Sequence, residues 1–418
     1  MSFWNRAAGA EPIEPSQAVV GLYVWLDLGW TEHSLVTNRF LVKTQKDVDI
    51  IQSLALDGRL YVYPAQSERA APPASLPLGD AASEAQVQAT NALMEEVKRL
   101  GKAKKDKMWA QKDATARAAR AWEAAASGIR DALVNLAGSP ASEGEHLTQL
   151  ASDTAAMVAS SQDMLWQLEA DGVSQGQQFH ALNVITLCLT LGKKAGLNRW
   201  ELADLVMAAL AHDAGKAQVP SHILQNAHRK KHEEEFYRQH VPYGVDMAKL
   251  SGAFSTAALT IIADHHETLD GKGWPQKKTH LGPGARILGL VDRYDRLCSP
   301  EALGRPHLMP SEALATLFGQ ESGKYDPTLL ALLVKLLGVY PPGTVVQLND
   351  GTLALVVAPG PKSLQPKVLI YNPDLSKDDT PVLELAAEPD LKIMSGVRAS
   401  TLLPEVLAWM YPQGRLFH

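Results

Sequence analysis

An adjacent histidine and aspartate, His212-Asp213, close an apolar segment that runs from Leu205 to Ala211. The pattern predicts a buried helix that ends with an imidazole and a carboxylate side by side in a dry pocket. Burying such groups is costly unless a positive charge or a hydrogen-bond partner accompanies them. The pair therefore predicts a cation at this position, and a metal centre is the interpretation that we favour.

Other residues of the types that bind metals lie on apolar, helix-like segments before and after this pair. They are His180, His240, His265, His266 and Asp292. Imidazole and carboxylate groups suit borderline divalent ions such as iron, manganese and zinc. A carboxylate such as that of Asp213 can bridge two ions, whereas a histidine cannot. Two ions roughly 3.5–4 Å apart supply hydroxide near neutral pH and stabilise an in-line displacement at phosphate.

Among the other residues near these motifs, one has a functional interpretation and the rest have structural ones. Lys216, one turn after His212, would place a cation where a phosphate oxygen gathers charge. Asp295 is equally well explained as a helix cap or as a salt-bridge partner. The remaining histidines are interpreted as core or surface residues: His33, His146, His222, His228, His232, His280, His307 and His418.

Length and composition restrict the class of protein. A chain of 418 residues predicts two or three domains. The net charge of −6 provides no overall basic field to recruit DNA or RNA. The two cysteines, Cys188 and Cys298, lie in apolar surroundings, as expected in a reducing cytosol. No segment approaches about 20 consecutive apolar residues, so we expect a cytoplasmic protein without a transmembrane segment.

Local patterns predict a small N-terminal β-rich domain at 1–66 and an Ala/Pro linker with a long helix at 67–146. The β-rich runs are Ala18–Val24, Arg39–Val42 and Leu60–Tyr63, and residues 47–54 have helical spacing. The segment from 78 to 139 contains no proline and is rich in strong helix formers.

The remaining chain is predicted to form a nearly all-helical domain at 147–337 and a β extension at 338–418. Within the helical domain, Pro242-Tyr243-Gly244 is expected to connect one helix ending at His240 to the next beginning near Met247. In the extension, Asn349-Asp350-Gly351 lies between two apolar runs and predicts a hairpin turn.

Three motifs together resemble the HD-GYP branch of the HD superfamily, over residues 175–340. They are His212-Asp213-Ala214-Gly215-Lys216, then His265-His266-Glu267 with Asp270-Gly271-x-Gly273-Trp274-Pro275, then Asp292-x-x-Asp295. Members of that branch are bacterial metal-dependent phosphodiesterases that open cyclic di-GMP. The flanks are similar to a small N-terminal domain (Val20–Val24 with Trp30) and a β extension (Gly338–Val346) found beside some of them. The resemblance implies a mainly α protein with an all-helical catalytic core, a small N-terminal α/β domain and a short C-terminal β extension.

The same resemblance implies a ligand set and partners. His180, His212, Asp213 and Asp292 would surround one ion, and His240, His265 and His266 a second. Asp213 would bridge the ions and act with Lys216, which would contact the phosphate. Iron or manganese is expected, with zinc, magnesium, nickel or cobalt as alternatives. Arg305 and Asp295 are candidate substrate contacts, and the 270–275 loop is a candidate docking site for a diguanylate cyclase (GGDEF) domain. A homodimer is a further expectation.

The chain departs from the family pattern at positions that concern substrate more than metal. The family's Gly-Tyr-Pro is Gly273-Trp274-Pro275, and its Arg-Pro-Tyr segment survives only as Arg305-Pro306-His307. A glutamate that enables a third ion in some relatives is replaced by Gly176, which favours two ions. We therefore expect hydrolysis of cyclic di-GMP to linear pGpG, to GMP, or to both. Two alternatives stay open: a non-hydrolytic cyclic di-GMP receptor or interaction module, and an HD phosphohydrolase of another nucleotide.

Overall fold

A computed structural model describes residues 9–28, 33, 38–54, 56, 58–73, 84–171, 177–299, 307–373 and 375–411. Trp30, Gly176 and Arg305, which the sequence analysis singled out, lie outside the described residues. The chain divides into two compact units, Met1–Gln111 and Lys112–His418.

The first unit contains a small antiparallel sheet and one short helix. The strands are β1 (Glu11–Pro12), β2 (Tyr23–Leu26), β3 (Arg39–Leu41) and β4 (Leu60–Val62), in the order β1-β4-β2-β3. Helix α1 (Gln45–Ser53) begins at Thr44, whose hydroxyl accepts a hydrogen bond from the N–H of Asp47, while the Asp47 carboxylate accepts one from the N–H of Thr44. This reciprocal cap stabilises the first turn.

A single helix of 55 residues, α2 (Glu84–Gly138), follows the first sheet. Its length agrees with the proline-free, helix-favouring composition. In the second unit, the last turns of α2 bury Trp122, Ile129 and Leu136 against Leu147 of the next helix.

The second unit has a helical core around which the candidate site is built. Its helices are α3 (Gly144–Asp171), α4 (Gln177–Lys194), α5 (Arg199–Ala211), α6 (Ser221–Leu224), α7 (Lys231–Arg238), α8 (His240–Ser251), α9 (Thr256–Asp264), α10 (Pro283–Cys298), α11 (Pro310–Gly319) and α12 (Pro327–Leu337). The second half of helix α5, from Leu205 to Ala211, is buried apart from the half-buried Met207. A helix that is apolar on most sides belongs in the interior, so its polar end lies inside the protein.

The expected connector at Pro242-Tyr243-Gly244 is wrong, because these residues lie within α8. Pro242 occupies the first turn, where the missing N–H would have no helical partner in any case. Helix α8 therefore begins at His240, and its first residue is a candidate ligand.

The C-terminal segment forms an antiparallel sheet whose three central strands are mostly buried. Its strands are β5 (Val345–Leu348), β6 (Leu353–Ala358), β7 (Lys367–Ile370), β8 (Val382–Glu384) and β9 (Ile393–Val397), in the order β8-β7-β6-β5-β9, followed by helix α13 (Pro404–Met410). The predicted turn joins β5 to β6, and Gly351 has a φ of +87° that favours glycine. Val345, Leu355 and Leu369 pack with Met410 and Tyr411 on one face.

The structure confirms a mainly helical core with a small N-terminal sheet and a C-terminal β extension. None of the described helices is both long and apolar enough to cross a membrane.

Candidate metal centre

The second unit brings the seven predicted ligands together in one buried site. His180 lies on α4, His212-Asp213 follow α5, and His240 begins α8, while His265-His266 follow α9 and Asp292 lies on α10. All are buried except His266, whose side chain is 19% exposed.

The ligands form two clusters that share one carboxylate. The carboxylate-rich cluster consists of His180, His212, Asp213 and Asp292, and the histidine-rich cluster consists of Asp213, His240, His265 and His266. Within each cluster, one donor atom from every residue lies within 4.8 Å of the others. Asp213 is therefore placed where a single carboxylate can serve two ions.

In the carboxylate-rich cluster, the ring nitrogens and carboxylate oxygens converge on a common point. Nε2 of His180 lies 3.1 Å from Oδ1 of Asp292 and 3.2 Å from Nε2 of His212. Nε2 of His212 lies 3.5 Å from Oδ2 of Asp213 and also 3.5 Å from Oδ1 of Asp292. Two nitrogen and two oxygen donors are a suitable set for a borderline divalent ion.

The histidine-rich cluster uses the other oxygen of Asp213. Nε2 of His240 lies 3.6 Å from Oδ1 of Asp213 and 3.3 Å from Nε2 of His266. Among the described residues, Oδ1 of Asp213 and Nε2 of His265 are buried without a hydrogen-bond partner. Buried polar atoms are rarely left unpaired, so these two atoms fit the role of ligands to a cation.

Three of the imidazoles are oriented by main-chain carbonyls. Nδ1 of His212 donates to the carbonyl of Ala209 at 2.8 Å, that of His240 to Tyr237 at 2.7 Å, and that of His265 to Ile262 at 2.6 Å. Each histidine lies three residues after its acceptor at the end of a helix, where carbonyls lack helical partners. The bond places the proton on Nδ1 and leaves Nε2 for a metal.

His180 is oriented by a side chain instead. Its Nδ1 donates to Oδ2 of Asp295 at 2.6 Å, and Oδ1 of Asp295 accepts from Nδ2 of Asn183 at 3.0 Å. The structure thus places Asp295 behind an imidazole. A carboxylate in this position fixes the ring of a metal-binding histidine and makes it more basic.

The protonation states of the histidine-rich cluster favour metal binding. Burial lowers the pKa of His240 to about 3 and that of His265 to about 4, and it lowers the pKa of His266 well below its usual value. These imidazoles are neutral at neutral pH, which is the form that binds metals. In contrast, burial and Arg296 lower the pKa of His180, but hydrogen bonds to Asp292 and Asp295 outweigh both and raise it.

A cavity of about 540 Å³ opens beside the clusters. His265, His266 and Asp292 line it together with aromatic and basic side chains: Tyr237, Trp274, Tyr325, Arg229, Lys272, Arg293, Arg296 and Lys324. The cavity thus offers flat apolar faces and positive charge next to the candidate metal ligands.

Comparison with known proteins assigns the helical core. Residues 145–329 match the HD domain family, and residues 12–147 match a domain of unknown function, DUF3391. A cyclic di-GMP phosphodiesterase of Pseudomonas aeruginosa is 28% identical over 270 residues, which cover 63% of each chain. The cyclic di-GMP phosphodiesterase PdeB of Borreliella burgdorferi is 26% identical over 181 residues, 43% of this chain and 47% of that one. The chain is an HD-GYP family protein.

A third relative of this HD-GYP protein is named for a different cyclic dinucleotide. The 3′3′-cGAMP-specific phosphodiesterase 2 of Vibrio cholerae is 28% identical over 160 residues, 37% of this chain and 30% of that one. The matches span less than two thirds of the length of each of these three relatives. HD domain phosphohydrolases are metal-dependent, and the two clusters provide residues that could bind metal.

Two basic residues of the HD-GYP core contact the shared carboxylate. The ammonium of Lys216 lies 2.9 Å from Oδ2 of Asp213, and its side chain is only 1% exposed. Arg296, which the sequence analysis did not single out, contacts the same oxygen through Nη2, and its Nε lies 3.4 Å from Oδ1 of Asp292. Burial raises the pKa of Asp213, but Lys216 and Arg296 outweigh this effect and hold it well below its usual range.

Arg296 and Lys216 differ in their access to the cavity. Arg296 lines the cavity, whereas Lys216 is not among the residues that line it. The one available sequence signal for Arg296 was its helical i, i+4 spacing from Asp292.

In this HD-GYP protein, the motif loop at 270–275 holds the ring of Trp274 against His266, one of the candidate metal ligands. The Glu267 carboxylate accepts hydrogen bonds from the N–H groups of Gln276 and Lys278, and Asp270 accepts from the hydroxyl of Thr268. With the loop so fixed, the ring of Trp274 lies 4.1 Å from that of His266 and 5.4 Å from that of His240.

Glycine is required in this loop. A Cβ on Gly273 would meet the Cα of Glu267 at 2.5 Å, and Gly271 has a φ of +69°. The loop therefore keeps its path, and with it the position of Trp274-Pro275, only with glycine at position 273, while the backbone at position 271 favours glycine.

Proposed function

We propose that this protein is a metal-dependent phosphodiesterase that hydrolyses cyclic di-GMP. The observation that carries the proposal is the placement of Asp213 in both clusters, next to a cavity that His265, His266 and Asp292 line. A shared carboxylate between two sets of ligands is what a two-ion phosphohydrolase requires. The cyclic di-GMP phosphodiesterases of P. aeruginosa and B. burgdorferi support the choice of substrate.

The proposed ligand set is the one given by the two clusters, with iron or manganese as the ions and zinc, magnesium, nickel or cobalt as alternatives. When bound, such ions lower the pKa of water towards neutrality and neutralise charge on the phosphate. The chain's own residues keep the donors in the right state. Lys216 and Arg296 hold Asp213 ionised, and Asp295 keeps the proton of His180 on Nδ1, so that Nε2 faces the cluster.

The cavity walls suit a dinucleotide. Trp274 and Tyr237 both line the cavity, and stacking of a guanine on an aromatic ring there would be worth about 1–3 kcal/mol per base. The guanidinium of Arg229 lies 3.8 Å from the ring centre of Tyr237 and donates to the carbonyls of Ile223 and Leu224, which fixes that ring. The basic side chains in the walls favour phosphate.

The test is turnover after metal reconstitution. The protein would be purified without oxygen, analysed for metal, loaded with Mn²⁺ or Fe²⁺, and given cyclic di-GMP or 3′3′-cGAMP. We expect cyclic di-GMP to be converted to linear pGpG, to GMP, or to both. Asp246→Asn, an exposed carboxylate on α8, is the control for charge removal outside the site and should behave as the wild type.

Two other outcomes would redirect the proposal. Tight binding of cyclic di-GMP without product would indicate the receptor alternative. Faster turnover of 3′3′-cGAMP would indicate the activity named for the V. cholerae relative. Absence of bound metal under all loading conditions would contradict the proposal.

The proposal also covers the domain boundaries, the oligomeric state, the location and a protein partner. The boundaries 1–66, 67–146, 147–337 and 338–418, a homodimer, a cytoplasmic location and docking of a GGDEF domain at the 270–275 loop are proposed on the sequence patterns. The side chain of Lys272 in that loop is 83% exposed. Loss of a GGDEF partner's binding in Lys272→Glu, with metal content unchanged, would support docking at the loop.

A further inference from the structure

Arg296 directs its guanidinium at the oxygen atoms of the carboxylate-rich cluster. We propose that this contact makes the two clusters unequal, so that the histidine-rich cluster binds its ion tightly and the carboxylate-rich cluster binds its ion weakly and exchangeably. The inference rests on the proposed function in one respect, which is that both clusters bind divalent ions.

Arg296 and an ion in the carboxylate-rich cluster would use the same oxygens. Oδ2 of Asp213 lies 3.5 Å from Nε2 of both His180 and His212. Oδ1 of Asp292 lies 3.1 Å from Nε2 of His180. These two oxygens are the ones that Nη2 and Nε of Arg296 approach.

The histidine-rich cluster uses the other oxygen of Asp213. Lys216 and Arg296 both contact Oδ2 of Asp213, whereas Oδ1 faces His240 and is unpaired among the described residues. Together with the unpaired Nε2 of His265, this oxygen is available to an ion without displacement of a cation.

Arg296 and an ion in the carboxylate-rich cluster would also repel each other. A guanidinium stays protonated at all physiological pH values, and the Arg296 side chain is only 15% exposed. Two cations that share a carboxylate oxygen in such a site repel each other with little screening by water. An ion that enters the carboxylate-rich cluster therefore competes with the guanidinium for these oxygens, and it binds more tightly if Arg296 moves away. Arg296 has space for this movement because it also lines the cavity.

The inference predicts how the protein responds to metal supply. Occupancy of the histidine-rich cluster would persist through purification, whereas occupancy of the carboxylate-rich cluster would follow the concentration of free ion. The number of ions bound to each chain then depends on the concentration of free ion. Arg296 sets the concentration at which the second ion binds.

The test measures metal binding directly, without substrate. Metal-free protein is titrated with Mn²⁺, and free Mn²⁺ is followed by electron paramagnetic resonance. We expect one tight site and a second site at least about tenfold weaker. His265→Ala should abolish the tight site, and His212→Ala the weak one.

The decisive variant is Arg296→Met, which keeps the length of the side chain and removes its charge. The weak site should then bind at least about tenfold more tightly, with a smaller change at the tight site. Arg296→Gln serves as a second neutral variant if the methionine protein does not fold. The matched control is Arg293→Lys on the same helix, because Arg293 also lines the cavity but is paired with Glu321 at 2.8 Å. It should leave both affinities unchanged.

The outcomes separate this inference from the proposed function. Two equally tight sites in the wild type, or an unchanged weak site in both neutral Arg296 variants, would overturn the inference and leave the two-ion enzyme intact. Failure of either cluster to bind any divalent ion would overturn the proposed function and the inference with it.

Discussion

The two clusters share Asp213 but are held in place by different parts of the chain. In the histidine-rich cluster, the carbonyls of Tyr237 and Ile262 orient His240 and His265. In the carboxylate-rich cluster, the Asp295 side chain orients His180, and Lys216 and Arg296 contact the carboxylate oxygens. Only His212 there relies on the main chain. Main-chain support is fixed by where a helix ends, whereas side-chain support is lost with a single substitution.

The strongest challenge to this comparison is removal of the shared carboxylate. Asp213→Asn should weaken metal binding at both clusters and lower turnover by at least about 10³-fold, because charge stabilisation at phosphate is lost. Metal analysis and turnover under saturating Mn²⁺ would test this expectation. Retention of one ion at wild-type affinity would show that the clusters do not share Asp213.

The next largest effect is expected at Gly215, whose backbone packs against the first turns of α8. A Cβ on Gly215 would lie 1.9 Å from the carbonyl oxygen of His240 and 2.5 Å from the nitrogen of Gly244. Gly215→Ala should therefore displace α8 and lower the free energy of unfolding by about 1–3 kcal/mol or more, measured by thermal or urea unfolding. Gly138→Ala is the control, because its Cβ would meet nothing within 4 Å. Equal stability of the two variants would mean that α8 can shift without cost.

The support of His180 gives a cluster-specific prediction. Asp295→Asn should weaken metal binding at the carboxylate-rich cluster by about 10–100-fold and leave the histidine-rich cluster near its wild-type affinity. Mn²⁺ titration resolves the two sites. Asn183→Ala removes the other hydrogen bond to Asp295 and should have the smaller effect. Equal losses of affinity at both clusters would show that Asp295 does not support the carboxylate-rich cluster alone.

The smallest effect is expected for the aromatic ring of the motif loop. Trp274 contacts the rings of His240 and His266, which both belong to the histidine-rich cluster. Trp274→Tyr should keep both ions and most substrate affinity, whereas Trp274→Ala should cost about 1–3 kcal/mol of substrate binding. Titration with Mn²⁺ and the KM for cyclic di-GMP would measure the two effects. Loss of an ion in the tyrosine variant would assign the indole a structural role.

The sequence predicted what depends on local pattern and missed what depends on packing between helices. The candidate ligands were recognisable because several of them follow apolar helices, as His212 does after α5. Arg296 was not recognisable, because an arginine near the end of an amphipathic helix has the same local pattern whether it faces water or a carboxylate from another helix. The role of Lys216 on the phosphate stays a prediction, and its burial against Asp213 is a product of tertiary packing that the local pattern does not show. Residues 242–244 were mistaken for a connector because proline and glycine often end helices.

The carbonyl hydrogen bonds of the histidines have a consequence for sequence variation. Ala209 and Ile262 act on the site through their main-chain oxygens only, so their side chains can be exchanged for others of similar size without turning an imidazole. Asp295 has no such freedom, since its own carboxylate is the acceptor. In a deep substitution library, positions 209 and 262 should therefore tolerate several apolar residues, while position 295 should accept almost none.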